Sequence, residues 1–158
     1  ALHAVTGQEG CEVGDRVVMA NGVLLAGYVT VGERAFLGGG SAVHQFCHVG
    51  RLAMVAAASI LTKDLPPFCM SRGIENSQVA GLNVVGLRRN GFDAAQRAQI
   101  KQAFNLLYRS GLNVSQAKER LRSETGNPFA AEYADFLDHA KRGICRPSFG
   151  ASGEESDA

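Results

Sequence analysis

The stretch "VGDRVVMANGVLLAGYVTVGERAFLGGGSAVHQFCHVGRLAMVAAASIL", Val13 to Leu61, carries a repeat of six residues. Every sixth residue from Val13 is aliphatic, nine times in succession: Val13, Met19, Leu25, Val31, Leu37, Val43, Val49, Val55 and Leu61. A small or β-branched residue follows four positions later in each of the first eight units: Val17, Val23, Val29, Ala35, Ser41, Cys47, Ala53 and Ser59. A fixed period of this kind predicts a repeat architecture.

Hexapeptides of this type predict a parallel β-helix, in which each unit forms a short strand and a corner and three units close one triangular turn. Nine units make three turns, about 14 Å tall at the usual strand spacing. We expect Cys47 to be a small interior hydrophobe rather than a reactive thiol. Five glycines suit corners that need a positive φ: Gly14, Gly27, Gly32, Gly38 and Gly50. The repeat fails going backward, where Gly7 and Ala1 take the inward positions, so we expect either that the coil frays there or that the beginning of the chain has been altered.

After Leu61 the period ends, and Pro66-Pro67 predicts that the chain leaves the β-helix. Helices are expected next: Leu82 to Gly91, one capped by Asp93 with Gln96, one capped by Asn113 with Gln116 and ending at Leu121, and one starting at Asn127-Pro128. The predicted division is therefore a β-helix over residues 1–64, a connecting segment over 65–80, a helical domain over 81–146 and a disordered tail over 147–158.

Composition excludes several classes of protein. The chain has 158 residues, 46% of them apolar, and a formal net charge of +1. That charge argues against nucleic-acid binding, which usually needs a strongly basic surface. The four cysteines have no C-x-x-C spacing, which favours a reducing cytoplasmic location over a disulfide scaffold. No apolar run is long enough for a membrane span and no leader opens the chain, so we expect no stable membrane insertion.

The residues between inward positions face outward, which places His44, Gln45 and His48 on the outer surface. Phe36 and Phe46 are outward too, and this indicates packing against another copy. Two interpretations stay open: His44 and Gln45 line a ligand groove between copies, or they are polar residues at an oligomer seam.

Other chemistries are weaker candidates. A metal site would need three ligands within reach, and His3, His44 and His48 are expected at different corners or heights. Arg88-Arg89 could clamp a phosphate, or simply form the solvated end of a helix. The sequence contains no nucleophile elbow and no Ser-His-Asp order.

Several motifs in sequence resemble one family, the acyl-carrier-protein-dependent UDP-N-acetylglucosamine O-acyltransferases that begin lipid A synthesis. The matching text, over roughly residues 11 to 144, is "VGDRVVMANGVLLAGYVTVG", "GGGSAVHQFCHVG", "DLPPF", "GLNVVGLRRNGF" and "AFNLLYRSG". The match is to the family's C-terminal half. It implies a left-handed parallel β-helix followed by a C-terminal α-helical domain, in a homotrimer whose active sites lie between subunits.

The resemblance also implies an activity, in which a 3-hydroxyacyl group moves from acyl carrier protein to the 3-hydroxyl of a UDP-N-acetylglucosamine-type sugar. No cofactor or metal is expected. By motif position, His44 and Gln45 look like nucleotide-sugar contacts, Asn83 and Arg89 like the polar pair at the ligand's anionic end, and Gly27 like a backbone donor near the reacting carbonyl.

Three positions depart from the family pattern. Glu9 stands where the family has its catalytic histidine, so the catalytic residue of this chain is unknown; Tyr28 replaces another histidine, and Val85 replaces a glutamate. His3 has the right place in its hexapeptide but lies one unit early. These departures keep open a non-catalytic trimeric scaffold or nucleotide-sugar-binding relic. A β-helix metalloenzyme of the carbonic anhydrase kind is a third interpretation, disfavoured by the helical region.

Overall fold

A computed structural model describes residues 6–73 and 77–149. Ten strands of two residues come first: β1 (Thr6–Gly7), β2 (Glu12–Val13), β3 (Val18–Met19), β4 (Leu24–Leu25), β5 (Thr30–Val31), β6 (Phe36–Leu37), β7 (Ala42–Val43), β8 (His48–Val49), β9 (Met54–Val55) and β10 (Ile60–Leu61). The remaining elements are β11 (Cys69–Arg72), β12 (Gln78–Leu82), α1 (Val84–Arg89), α2 (Ala94–Tyr108), α3 (Val114–Ser123), α4 (Pro128–His139) and β13 (Arg146–Pro147).

The short strands stack in parallel on the strand three units further along the chain, which confirms the six-residue unit and the three-unit turn. Leu25, for example, pairs with Val43, and Val43 pairs with Leu61. Within the described ranges the strands form three sheets: a first of β1-β4-β7-β10, a second of β2-β5-β8, and a third of β13-β12-β11-β9-β6-β3. The fold is a parallel β-solenoid followed by four helices. The unit containing Gly7 does not fray, because β1 pairs with β4 in the same register.

The inward aliphatic positions form the solenoid core, as predicted from the repeat. From Leu25 onward all seven are buried: Leu25, Val31, Leu37, Val43, Val49, Val55 and Leu61. Val13 differs, since 50% of it is exposed. It lies on β2, which is an edge strand of the second sheet and so has a neighbouring coil on one side only.

The prediction that five glycines occupy positive-φ corners was wrong. Positive φ occurs three residues after each inward position from Val13 to Val55, mostly at non-glycine residues: Arg16, Tyr28, Arg34, Phe46, Leu52 and Ala58. Gly14, Gly32, Gly38 and Gly50 are instead needed because the next coil's backbone passes against them. A Cβ on Gly38 would lie 2.5 Å from the Ala57 backbone nitrogen. Gly27 has neither constraint, and its nearest neighbour would be the Glu9 carbonyl oxygen at 3.5 Å.

The chain does not leave the solenoid at Pro66-Pro67. Leu65 bridges to Val49, and Met70 on β11 pairs in parallel with Met54, so this last coil is shorter than the regular three-unit coils before it. β12 then pairs antiparallel with β11, and β13 pairs in parallel with β12. The segment predicted as a connection therefore extends the third sheet.

Three of the four helices begin where the sequence predicted, whereas the helix expected from Leu82 begins at Val84, because Leu82 belongs to β12. Asp93 with Gln96, and Asn113 with Gln116, form complete capping boxes at α2 and α3. Asn127 caps α4, whose first residue is Pro128. The predicted apolar faces are buried or half-buried: Ile100, Ala103, Phe104 and Leu107 on α2, and Phe129, Tyr133, Phe136, Leu137 and Ala140 on and just after α4. No helix in the described part of the chain is both long and apolar enough to span a membrane.

Phe68 joins the helices to the solenoid. It is fully buried and meets Phe92, Phe129 and Tyr133 edge-on, with ring centroids 5.7–6.2 Å apart. The Tyr133 hydroxyl donates to the Pro67 carbonyl oxygen at 3.0 Å. Such edge-to-face clusters add specific attraction to the area they bury. Of the tail predicted over 147–158, residues 147–149 are described and residues 150–158 lie outside the described residues.

Candidate functional site

Successive coils place three of the predicted site residues above one another at the first corner, the turn that follows each strand of the first sheet. Glu9, Gly27 and Gln45 occupy equivalent positions in three consecutive coils. The Tyr28 N–H donates to the Glu9 carbonyl oxygen, and the Phe46 N–H donates to the Gly27 carbonyl oxygen, both at 3.0 Å. The six-residue unit and the three-unit turn account for this alignment, because residues one turn apart share a corner.

The outward direction predicted for His44 and Gln45 is confirmed, because both are exposed at the first corner. His44 Nδ1 lies 3.2 Å from the Gln45 carbonyl oxygen, which steers the imidazole along the corner. Polar groups of two kinds, an imidazole and an amide, are therefore available to a ligand at this edge.

An aromatic pair at the same corner was missed by the sequence analysis. The rings of Tyr28 and Phe46 stack 5.3 Å apart and 9° from parallel, and about half of each residue is exposed. The Tyr28 ring also covers Gly10, where a Cβ would lie 2.5 Å from the ring atom Cε1. Three residues of this corner, Gly10, Tyr28 and Phe46, are each one turn from the next in the sequence. This spacing could have predicted the stacked aromatic pair.

Inside the corner, Cys47 is fully buried, which confirms that it packs. Burial, with the neighbouring Asp64 carboxylate as a second cause, raises the pKa of the Cys47 thiol to about 11. Burial also raises the pKa of Asp64, whose Oδ1 accepts the His48 backbone N–H at 2.8 Å. A thiol with so high a pKa stays protonated at neutral pH and is a poor nucleophile.

The other two predicted residues, Asn83 and Arg89, line a cavity of about 600 Å³. The cavity lies between α1, the outward face of the third sheet and the second corner, the turn that follows each strand of the second sheet. Its apolar floor consists of Val18, Phe36, Leu52, Met54 and Met70. Val85 also lines the cavity, at the position where the family pattern has a glutamate. This replacement makes that part of the cavity lining apolar.

Asn83 is only 8% exposed, and both ends of its side chain are used by the fold. Its Oδ1 accepts the Gly86 N–H at 3.1 Å and caps α1, while its Nδ2 donates to the Leu52 carbonyl oxygen at 3.0 Å. Gly86 is required here, since a Cβ would collide with the Asn83 amide. Asn83 therefore fixes the position of α1 and, through it, of Arg89.

Two further arginines of the second corner line the same cavity and were missed by the sequence analysis. Arg16 and Arg34 lie one turn apart at equivalent repeat positions, both at positive φ. Arg34 Nη1 donates to Asn90 Oδ1 at 3.5 Å, and its Nε lies 3.2 Å from Glu33 Oε1. With Arg89 the cavity lining carries three guanidinium groups, which favours an anionic ligand.

Within one chain the predicted residues form two separate groups. Glu9, Gly27, His44 and Gln45 lie at the first corner, between the first and second sheets, whereas the cavity of Asn83 and Arg89 opens on the third sheet. Over the described ranges no three His, Cys, Asp or Glu side chains are close enough to hold a metal ion. His3 lies outside the described residues.

Two curated relatives share extended similarity with the chain. An acyl-[acyl-carrier-protein]–UDP-N-acetylglucosamine O-acyltransferase of Gloeothece citriformis (strain PCC 7424) is 42% identical over 127 residues, which cover 80% of this chain and 46% of the relative. The enzyme of the same name from Thiobacillus denitrificans is 42% identical over 137 residues, covering 86% of this chain and 53% of the relative. The chain thus spans about half the length of these relatives.

Solved structures agree with these matches. The UDP-N-acetylglucosamine O-acyltransferase of Moraxella catarrhalis RH4 superposes with a TM-score of 0.82 at 35% identity, over 87% of this chain and 53% of that one. The Francisella novicida UDP-N-acetylglucosamine acyltransferase superposes with a TM-score of 0.83 at 34% identity, over 88% of this chain and 51% of that one. Residues 64–145, just over half of the chain, match the family described as UDP N-acetylglucosamine O-acyltransferase, domain 2. With its solenoid, its helices and these matches taken together, the chain belongs to the UDP-N-acetylglucosamine O-acyltransferase family.

Proposed function

We propose that the chain moves a 3-hydroxyacyl group from acyl carrier protein to the 3-hydroxyl of a UDP-N-acetylglucosamine-type sugar, the first step of lipid A synthesis. The observation that carries the proposal is the cavity of Arg16, Arg34 and Arg89 over an apolar floor. A pyrophosphate is the part of a nucleotide sugar that paired guanidinium groups bind best, because its oxygens accept bidentate hydrogen bonds. The names of the similar proteins supply O-acyl transfer, the acyl-carrier-protein donor and the UDP-N-acetylglucosamine acceptor.

The active site is proposed to form between subunits of a homotrimer of left-handed solenoids. The first corner and the arginine cavity lie on different edges of one chain, so a ligand that uses both groups needs a neighbouring copy. Apolar side chains exposed on the first sheet and first corner fit such a contact: Leu24, Tyr28, Phe46 and Ile60. Head-to-tail contacts of this kind form a closed ring of three subunits when each subunit is rotated by one third of a turn relative to the next.

In the transfer itself the sugar 3-hydroxyl oxygen forms the new ester bond with the thioester carbonyl carbon, and the carbon–sulfur bond breaks to release the carrier thiol. A base removes the hydroxyl proton and a donor stabilises the oxyanion. Gly27 suits the donor role, because its N–H donates to no other backbone group among the described residues, while those of Ala26 and Tyr28 do. His44 and Gln45 are proposed to contact the sugar.

The identity of the general base separates two candidate functions. Glu9 stands at the position of the family's histidine and is exposed in the single chain. This observation favours a second candidate function, a trimeric scaffold that binds the nucleotide sugar and transfers acyl groups poorly or not at all.

Titration calorimetry with UDP-N-acetylglucosamine tests the binding step that both candidates share. Arg89→Ala should weaken binding about 10- to 100-fold, the range expected for a hydrogen-bonded ion pair. Arg88→Ala is the matched control, since Arg88 precedes Arg89 on α1 but does not line the cavity, and it should change binding less than threefold. Equal losses in the two variants, or no binding by the parent chain, would overturn the nucleotide-sugar proposal.

Acyl transfer from a 3-hydroxyacyl carrier protein then separates the two candidates. If Glu9 is the base, Glu9→Gln should lower the rate at least 100-fold. If the base is missing, the parent should be nearly inactive and Glu9→His should raise the rate at least 100-fold. Nucleotide-sugar binding without transfer in all three proteins would support the scaffold.

We also propose a division of the chain into a solenoid over residues 1–64 that continues through the 65–80 segment, a helical region over 81–146 and a tail over 147–158, and we propose a cytoplasmic location. The four free cysteines, three of them buried, suit a reducing compartment. The parallel pairing of β11 with β9 indicates that the 65–80 segment unfolds together with the solenoid.

A further inference from the structure

A cavity of about 350 Å³ lies where the first corner continues beyond β10. Polar side chains from three parts of the chain line it: Thr62, Lys63, Gln78 and Arg146. Thr62 and Lys63 occupy the repeat positions of His44 and Gln45, one turn further along the chain. The cavity shares no described lining residue with the cavity of Asn83 and Arg89. We name it the Lys63 cavity.

The end of the helical region supplies part of this lining. Gln78 is the first residue of β12 and pairs in register with Arg146 on β13, so their side chains emerge on the same face of the third sheet. Just before β13, the Cys145 N–H donates to the Asp64 carbonyl oxygen at 2.8 Å, and the Asp64 N–H donates to the Gly143 carbonyl oxygen at 3.0 Å. These bonds fix the segment that follows α4 against the last coil and so position Arg146.

Neutral donors complete the lining. The buried Ser77 hydroxyl accepts the Thr62 N–H at 2.7 Å and lies 2.9 Å from the Thr62 hydroxyl. Ser77 thus fixes the Thr62 side chain, and when the Ser77 hydroxyl donates, the Thr62 hydroxyl proton is available to a ligand. The Gln78 side-chain amide makes no hydrogen bond with any residue in 6–73 or 77–149. A hydroxyl and an amide are therefore able to donate from the lining.

The lining also carries positive charge. Lys63 and Arg146 form no ion pair with any side chain in the part of the chain that the structure describes. Arg142 contacts the same turn, where its Nε donates to the Thr62 carbonyl oxygen at 3.2 Å. Two cations in the lining and a third beside it favour a negatively charged ligand.

The nearby carboxylate of Asp64 does not occupy the cavity. Asp64 is only 1% exposed and is not among the described lining residues. Its Oδ1 accepts the His48 backbone N–H at 2.8 Å, and burial raises its pKa despite the nearby Arg142 charge. The positive charges of the lining are therefore left for a ligand.

We propose that the Lys63 cavity binds a phosphate group, free or as part of a phosphate ester. Its guanidinium, ammonium, hydroxyl and amide groups come from separate segments, which suits a tetrahedral anion better than a planar carboxylate with two oxygens. The volume of about 350 Å³ lies in the range of small-molecule pockets, about 300–1,000 Å³, and leaves room for the rest of an ester. The inference does not depend on the proposed acyl transfer.

Amide NMR titration with inorganic phosphate, at an ionic strength held constant with sodium chloride, tests the site. We expect saturable shifts at Thr62, Lys63 and Gln78 that chloride does not produce. Lys63→Gln/Arg146→Gln should weaken binding at Thr62 and Gln78 at least about 10-fold, because it removes both charged donors. The Arg89 amide reports separately on phosphate in the arginine cavity.

Lys141→Gln is the matched control, because Lys141 is an exposed lysine of the same segment that does not line the cavity. It should change phosphate binding less than about twofold. Lys63 and Arg146 are both at least partly exposed, so the double variant should keep the fold, which its amide spectrum in chloride checks.

Two further ligands define the class of anion. Acetate should bind at least about 10-fold more weakly than phosphate. Dimethyl phosphate distinguishes the sources: binding within about threefold of phosphate assigns the site to a phosphodiester, and weaker binding assigns it to free phosphate or a monoester. Shifts that do not saturate, equal phosphate affinity in the double variant, or equal affinity for acetate and phosphate would overturn the proposal.

Discussion

The solenoid and the helical region are ordered by different means. In the solenoid, backbone hydrogen bonds link each coil to the next, and the corners accept side chains as different as Arg16, Tyr28, Leu52 and Ala58 at the same positive φ. In the helical region, order depends on particular side chains, such as the capping box of Asp93 with Gln96. Repetition therefore leaves the solenoid's outward positions free to carry polar site residues, while the helical region has less freedom to vary.

The two regions meet at Phe68, which offers the sharpest test of this contrast. Phe68→Ala should lower the free energy of unfolding by about 3–5 kcal/mol, because it removes a fully buried ring from the aromatic cluster. The backbone should tolerate the change, since Ala58 already adopts a similar positive φ. Denaturant unfolding at one fixed protomer concentration measures the loss.

Phe46→Ala is the matched control. Phe46 has the same φ of 65° as Phe68, but 50% of it is exposed. At a protomer concentration too low for assembly it should cost about 1 kcal/mol or less, since a surface substitution leaves no cavity. If both variants lost the same free energy of unfolding, the packing of Phe68 against the helices would contribute no more than an ordinary corner residue does.

A smaller effect distinguishes the two reasons for glycine in the solenoid. Gly38→Ala should cost about 1–3 kcal/mol, because its Cβ would meet the backbone of the next coil. Gly40→Ala should cost about 1 kcal/mol, because Gly40 has a positive φ of 67° but open space around it. Thermal and denaturant unfolding measure the loss of stability in both variants. If Gly40→Ala lost more stability than Gly38→Ala, the corner conformation rather than the spacing between coils would be the reason for glycine.

The smallest expected effect is a change in the pH dependence of stability, with opposite signs in the two regions. Burial raises the pKa of Asp64, which faces His48, Arg142 and Cys47. A carboxyl with a raised pKa in the folded state contributes stability below its unfolded pKa, near 4, and loses it as pH rises through the folded value. Asp64→Asn should therefore flatten the fall in unfolding free energy above about pH 4.

Asp138 provides the opposite case in the helical region. Hydrogen bonds from Lys118 and Arg122 lower its pKa, so its contribution is present above about pH 4 and is lost as pH falls through the folded value. Asp138→Asn should flatten the acid side only. Urea unfolding from pH 3 to pH 8 measures both slopes, and an unchanged slope in either variant would contradict the corresponding assignment.

Much of the fold was predictable because its determinants are local or strictly periodic. The six-residue phase predicted that Cys47 faces inward and that His44 and Gln45 face outward, and short-range caps predicted the helix starts at Asp93 and Asn113. The site was less predictable. Resemblance suggested Asn83 and Arg89, but not that Asn83 is committed to capping α1, nor that Arg16 and Arg34 share the cavity.

The sequence by itself determined the repeating coil, the helices and the family motifs, because each depends on spacings that can be read along the chain. Only the tertiary structure decided that the last coil is shortened, so that Met70 pairs with Met54, and that Phe68 joins the two regions. It also decided that the first corner and the arginine cavity lie on different edges. These features depend on contacts between residues far apart in sequence, whose geometry follows from packing rather than from local preference.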